Sequence, residues 1–269
     1  MSDALEHGLA RRVAGDWTGA EACFRRALTH AEATCGNDAW EVAVALNELG
    51  MTLKYRGGFD EAERHYTRAL RIVGARLGPV TPEAATLHHN LGGIRHARGD
   101  YAGAEAPARR AVEIRLRTTA PDHIDVAADR AALAAILDGL GRHDEAEALL
   151  HAALRTFERV LGPDHHEVAC TLTNLAAIAY RHDRTNEAEA LYRRALATKE
   201  HLLGDRHPEL AILLNNLAVL ATERGHRDRA AALYRRAITL LEPAAAPNHP
   251  TLQACRAGLR ALAERPPLK

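Results

Sequence analysis

Apolar residues recur along the chain at the spacing of amphipathic helices, in pairs of segments separated by a turn. One pair has apolar positions at Val168, Leu172, Leu175 and Ile178, followed by Ala188, Tyr192, Ala195 and Leu196. The pattern predicts a short helix over 2–14 with its partner over 17–35, and a last unpaired helix over 249–263. Between them it predicts pairs at 39–56 and 59–77, 81–98 and 101–118, 123–140 and 143–161, 165–181 and 185–203, and 207–224 and 227–241.

These pairs repeat with a fixed period. An alanine recurs every 42 residues without insertion or deletion, at Ala27, Ala69, Ala111, Ala153, Ala195 and Ala237. Six leucines from Leu49 to Leu259 keep the same step, and a glycine column is broken only by Asp183. A methyl side chain lets two helices cross closely, and glycine can take the positive φ that reverses the chain. The period therefore predicts a solenoid of helix-turn-helix units.

The words EAEALYRRAL and LLGDRHPELA, with Leu175 and Ala176 before them, resemble the tetratricopeptide repeat in its 42-residue, kinesin-light-chain-like form. The resemblance implies an all-α fold, a right-handed α-solenoid of about six helix pairs with a C-terminal capping helix. We expect one superhelical domain over 1–264, with a tail over 265–269 whose prolines cannot continue a helix. Its units are 1–36, 37–78, 79–120, 121–162, 163–204 and 205–246, and the cap is 247–264.

Charge and hydropathy narrow the classes of function. Lys plus Arg equals Asp plus Glu at 35 each, so no global field attracts the chain to nucleic acid or anionic lipid. Asp3 and Glu6 lie where a secretory signal needs an apolar core, and no apolar run approaches the roughly 18 residues of a membrane span. We therefore expect a cytoplasmic protein without nucleic-acid or membrane partners. The four cysteines lack metal-ligand or redox spacing.

The resemblance implies that first helices line a concave groove, which holds an extended peptide segment or a partner protein. Asn90, Asn174 and Asn216 share a column that in similar repeats grips a ligand main chain, because an amide both donates and accepts. The column is interrupted at Glu48 and Ala132, and its asparagines could instead bond neighbouring helices or water. The mapped groove residues are Asn47, Glu48, His89, Asn90, His96, Asp138, Thr173, Asn174, Tyr180, Arg181, Asn215 and Asn216.

Catalysis, a cofactor and a metal site are not expected. Ser2 is the only serine, and His123, His165, His207 and His249 form one repeat column, too widely spaced to share an ion. Cys170 is the one cysteine that maps toward the groove. Two other classes stay open: an unusual enzyme or small-molecule or peptide sensor that uses the polar groove residues, and a structural assembly subunit. The assembly class would use paired arginines of the second helices, such as Arg193 and Arg194. The partner and the oligomeric state are not determined by the sequence.

The third unit and its border with the fourth depart from the pattern. Arg95 and Arg130 occupy columns that elsewhere hold mainly Leu or Ala, and Pro107 lies inside a predicted helix. Asp129 precedes Arg130 and could pair with an arginine along a partly solvated seam. Such departures mark functional or strained sites in many proteins, and sequence drift is the other explanation.

Overall fold

The computed structural model describes residues 3–243, 245–246 and 248–264, and the described residues form α-helices joined by short turns. The predicted tail over 265–269 lies outside them. The helices confirm the predicted pairs nearly residue for residue. They are α1 (Asp3–Val13), α2 (Trp17–Cys35), α3 (Trp40–Tyr55), α4 (Phe59–Leu77), α5 (Pro82–Ala97), α6 (Tyr101–Thr118), α7 (Ile124–Gly139), α8 (His143–Leu161), α9 (His166–Arg181), α10 (Thr185–Leu203), α11 (Leu210–Glu223), α12 (Arg227–Leu241) and α13 (Pro250–Glu264).

One boundary differs from the prediction. The sequence places the start of α11 at residue 207, whereas the helix begins at Leu210. The preceding turn is tightened by bonds between residues three apart, from the Leu210 N–H to the His207 carbonyl at 3.1 Å and from Ala211 to Pro208 at 3.0 Å. Such a turn often opens an α-helix.

The chain divides into two compact units, Met1–Leu149 and Leu150–Lys269, with the boundary inside α8. In the first unit, successive helices from α1 to α7 pack mainly on one another. In the second unit α9 to α13 do the same, and α13 also packs on α11. Nearest-neighbour packing is the arrangement expected of a repeat array, and the all-α solenoid class is confirmed. One domain over 1–264 stays a prediction.

The repeated small residues lie where helices cross. Ala62 and Ala69 of α4 are fully buried, and so are Ala188 and Ala195 of α10. A Cβ atom at Gly50 of α3 would come within 2.6 Å of the Tyr66 ring, so the smallest residue is required there. These contacts explain why the alanine columns hold their period.

The turns between paired helices need a left-handed residue. Gly15, Gly57 and Gly225 have φ between 73° and 78°. Asp183 occupies the same column and keeps the conformation with φ of 58°. Asp is one of the few residues with a side chain that tolerates this region, so the break in the glycine column changes no turn.

Two irregular residues of the third unit compensate for each other. Pro107 is buried inside α6, where its missing N–H leaves the carbonyl of Gly103, four residues earlier, without its helical donor. Arg95 of α5 supplies a donor instead, with its Nη1 2.8 Å from the Gly103 carbonyl oxygen. The same guanidinium bonds Glu63 of α4 through Nε at 2.8 Å. Arg95 and Pro107 therefore have a structural explanation.

A glutamate column links successive repeats through the second helices. Glu21 pairs with Arg25 and Arg56, and Glu105 pairs with Arg109 at 2.7 Å and with Arg142. Glu189 is buried and pairs with three arginines, Arg193, Arg224 and Arg229. Arginines of the second helices are thus occupied by carboxylates of the same array, which weakens the case for an assembly surface built on them.

Candidate functional site

In the first unit, the predicted groove residues of α3 and α5 bond one another. The Asn90 amide donates to Asn47 Oδ1 at 2.8 Å, and the Asn47 amide donates to Glu48 Oε1 at 3.1 Å. Arg12 of α1 donates to Glu48 Oε2 at 2.6 Å. The chain Arg12–Glu48–Asn47–Asn90 therefore joins three successive first helices. Each asparagine here bonds a neighbouring helix or residue, and Asn90 retains amide atoms with which to bond a ligand.

A second polar chain connects α5, α6 and α7. His89 is half-buried on α5, and its Nδ1 lies 2.8 Å from Oδ1 of Asp129 on α7. The other oxygen of Asp129 accepts a bond from Arg115 Nε at 3.1 Å. Asp129 thus pairs with an arginine as expected, but both residues are buried, so the pair does not lie on a partly solvated seam. The partner is not Arg95. It is also not Arg130, the residue next to Asp129, whose Nη1 lies 3.4 Å from the Pro121 carbonyl oxygen.

Further along the same helices, His96 packs edge-on against the Tyr101 ring, with 5.4 Å between ring centroids. Burial lowers the pKa of His96, and the charge of Lys54 lowers it further. Burial also lowers the pKa of Lys54. Asp138 Oδ1 lies 2.9 Å from Nδ1 of His143 at the start of α8. His96 and Asp138 are thus engaged by aromatic and polar neighbours within the first unit.

In the second unit, α9 presents an exposed polar face. Asn174 and Arg181 are both exposed, and no other side chain among the described residues bonds the Asn174 amide. The Thr173 hydroxyl is used within its own helix, where it donates to the Ala169 carbonyl at 2.7 Å. Tyr180 donates its hydroxyl to Glu223 of α11, and this bond raises the pKa of Tyr180 to about 12.

The two asparagines of α11 are half-buried and bonded. Asn216 bonds the hydroxyl of buried Tyr192, and its Oδ1 lies 3.5 Å from Asn215 Nδ2. Asn215 also accepts from Cys255 Sγ of α13 at 3.4 Å. Asn215 therefore helps to seat α13, whereas Asn174 is the asparagine of this unit that is most open to a ligand.

Sequence reasoning missed Arg115 and Arg12. Arg115 occupies a column that holds Val73 and Phe157 in neighbouring repeats, which is the same signal that singled out Arg95. Arg12 lies at the end of the short α1, in the same column as the groove residues His96, Asp138 and Tyr180, so extending that column to the first unit would have found it.

Cys170, His123 and His165 are among the residues that the sequence brings forward for catalysis or metal binding. Cys170 Sγ lies 3.3 Å from Nε2 of His166, but burial raises the pKa of the thiol and so disfavours the reactive thiolate. His123 and His165 accept from backbone N–H groups two residues later, each at 3.2 Å, as helix-start residues do. In the described ranges, no group of three or more His, Cys, Asp and Glu side chains could hold a metal ion.

No helix of the described residues is long and apolar enough to cross a bilayer.

Comparison with known proteins agrees with the geometry. A search of curated proteins finds no match at the significance applied. Among solved structures, BtubC (BKLC) from P. vanneervenii shares 22% identity with a TM-score of 0.65, covering 93% of each chain. A putative kinesin light chain with nearly identical TPR-like repeats from Podosopora anserina shares 21% identity with a TM-score of 0.61, over 73% of this chain and 93% of that one. Apo RapI shares 14% identity with a TM-score of 0.68, over 97% and 95%.

These structural neighbours show the fold. The family itself is shown by sequence, because the tetratricopeptide repeat family model matches residues 1–75, 41–117, 83–150, 127–201 and 188–242. The matches overlap and together cover most of the chain. The chain belongs to the tetratricopeptide repeat family.

Proposed function

We propose that this protein is a binding scaffold that holds an extended peptide segment, or a partner protein presenting one, against its first helices. Tetratricopeptide repeat proteins generally mediate protein interactions, and solenoids of this kind offer long surfaces for that purpose. The observation that carries the proposal is the polar face of α9, where Asn174 is exposed and open to a ligand. Its amide can donate to and accept from a peptide main chain of any sequence.

Arg181 extends the same face and gives the proposal a charge preference. It is exposed about two helical turns beyond Asn174, and a guanidinium binds carboxylates through paired bonds. We therefore propose that the bound segment carries acidic side chains near Arg181. The polar residues of α3 and α5, including Asn47, Glu48, His89 and Asn90, supply a second stretch of contacts on the first unit.

The test uses peptides selected from a displayed library of random sequences on the purified protein. Asn174→Ala removes up to two main-chain hydrogen bonds, each worth about 0.5–1.5 kcal/mol net, so calorimetric titration should show binding weaker by about tenfold. Changing Asn216→Ala as well should weaken binding further, but with a stability cost, because Asn216 also bonds Tyr192. Arg181→Glu should reduce affinity selectively for acidic peptides.

The matched control is Arg235→Glu, an exposed arginine of the second helix α12. It adds the same charge change as Arg181→Glu on a second helix, and thermal melts of each variant check that folding is intact. If the peptides bind Asn174→Ala normally but lose affinity for Arg235→Glu, the binding surface lies on the second helices. This result would favour the assembly alternative.

A further inference from the structure

The polar chain of His89, Asp129 and Arg115 has a chemical consequence for the first helices. We infer that Asp129 and Arg115 fix the tautomer of the neutral His89 ring, so that its Nε2 faces a ligand as a hydrogen-bond acceptor. The ligand group it takes is a donor, and on an extended peptide this is a main-chain N–H. This inference rests on the proposed function and adds a specificity-determining contact on the first unit.

Arg115 is held in place before it meets the aspartate. Its Nη1 donates to the Pro82 carbonyl and its Nη2 to the Thr86 hydroxyl, each at 3.2 Å. Asp125 lies 3.7 Å from the same guanidinium and is half exposed. The guanidinium therefore bonds the first turn of α5 and directs its Nε toward Asp129.

The carboxylate of Asp129 receives donors on both oxygens. Oδ2 accepts from Arg115 Nε at 3.1 Å, and Oδ1 lies 2.8 Å from His89 Nδ1. An ionised carboxylate only accepts hydrogen bonds, so the ring nitrogen that faces it must carry the proton. In the neutral imidazole this leaves Nε2 with a lone pair and no proton.

His89 is the accessible member of this polar chain. The His89 side chain is 35% exposed, whereas the side chain of Asp129 is 2% exposed and that of Arg115 is 7% exposed. No described residue bonds Nε2 of His89. Arg115 already joins α5, α6 and α7 through Thr86 and Asp129, so the partly exposed His89 ring is not needed to tie these helices together.

The combination is confined to one seam of the array. The residues that stand one period before and after Asp129 are Leu87 and Thr171, and those that flank Arg115 are Val73 and Phe157. Apolar or neutral side chains fill these places without an ionic partner, so the fold does not need an ion pair there. The pair that replaces them carries the cost of burying two charges.

The first experiment needs no ligand. Protein labelled with ¹⁵N-histidine is studied by long-range ¹H–¹⁵N NMR at mildly alkaline pH, and His89→Gln identifies the His89 signals by their loss. We expect His89 to be protonated at Nδ1. In Asp129→Asn, Arg115 should stay bonded to the amide oxygen of the new asparagine. The amide NH₂ then donates to Nδ1 of His89, so the ring proton moves to Nε2. A wild-type ring protonated at Nε2 overturns the inference, whether or not the variant folds.

The second experiment tests the contact itself with a peptide selected from the random library. Each main-chain N–H of that peptide is methylated in turn. Methylation at one position should lower the affinity of the peptide for the wild type by about 3- to 10-fold. The same methylation should not change the affinity of the peptide for His89→Ala. His30→Ala, an exposed histidine on the second helix α2, should retain the full methylation effect.

The outcomes separate the two proposals. Peptides that respond to Asn174→Ala but show no coupling between any N–H and His89 overturn the inference and leave the proposed function standing. A library that yields no binding peptide overturns both.

Discussion

The bond between Arg95 and the Gly103 carbonyl predicts that Arg95 and Pro107 are energetically coupled. With Pro107 in place, the Gly103 carbonyl has no helical donor and depends on Arg95 at 2.8 Å. With Pro107→Ala, the new N–H at position 107 can close the ordinary bond to Gly103. Arg95→Leu, which installs the residue found one period earlier and later in the same column, should therefore cost more in the wild type than in Pro107→Ala.

The magnitude follows from what each variant removes. In the wild type, Arg95→Leu leaves a half-buried carbonyl without its donor, worth about 1–3 kcal/mol of unfolding free energy. It also removes the ion pair with Glu63, worth about 0–1 kcal/mol. In Pro107→Ala only the ion pair is lost. The changes in packing and helix propensity appear in both backgrounds and cancel, so the expected coupling is about 1–2 kcal/mol.

The assay is urea unfolding of the four proteins of the double-mutant cycle, followed by circular dichroism, with hydrogen exchange at residue 107 in the alanine variants. Arg98→Leu is the matched control, because Arg98 also pairs with Glu63 at 3.0 Å and no bond joins it to Gly103. It should cost the same in both backgrounds. If Arg95→Leu costs the same with and without Pro107, Arg95 does not compensate for the missing N–H of Pro107. The unusual residues of the third unit would then again have no structural explanation.

Four further outcomes are expected from stability measurements. Glu189→Gln should cost about 1–3 kcal/mol because three partly exposed arginines lose their charged hydrogen-bond partner, whereas Glu105→Gln, at a more exposed place in the same column, should cost about 0–1 kcal/mol in the same denaturant assay. Burial lowers the pKa of His88 below its ordinary value of 6.5. The unfolded chain therefore takes up this proton first, and the free energy of unfolding should be full above pH 6.5 and fall as the pH drops toward 5. A pH series of thermal melts should show a smaller fall for His88→Leu. Ala153→Leu should cost about 1–3 kcal/mol by overpacking a fully buried methyl site, and a neutral melt would contradict the crossing assigned to that column. Removal of the chain from His249 onward should expose the apolar faces that α13 covers and promote association measurable by light scattering, with helicity retained; a truncated chain that stays monomeric with an unchanged melting temperature would contradict the capping role.

The helices could be predicted from sequence because their boundaries follow from local patterns that recur six times. The glycine column marks the turns, and the apolar spacing marks the buried faces. The late start of α11 could not be predicted, because a turn with bonds between residues three apart and a first turn of α-helix have the same sequence signals.

Partners between repeats were harder to predict than the elements themselves. Asp129 was expected to pair with an arginine, and it does, but with Arg115 at 3.1 Å rather than with the adjacent Arg130. Neighbours in sequence on a helix point to different sides, so the pairing is decided by which helix of the preceding repeat faces the aspartate. Column comparison could have found Arg115, since a charge in an apolar column needs a buried counter-charge.

The irregular positions of this array can be separated by whether their polar atoms are satisfied within the fold. Arg95 bonds Gly103 and Glu63, and every part of that departure is explained by the missing N–H of Pro107. His89 differs, because its Nδ1 is bonded to Asp129 while its Nε2 is unbonded among the described residues and the side chain is 35% exposed. A buried group that departs from its column is stabilised by its internal partners, and a ring nitrogen that keeps its lone pair without a partner has no such internal use. Selection for stability alone explains Arg95, whereas His89 calls for a ligand that donates to it.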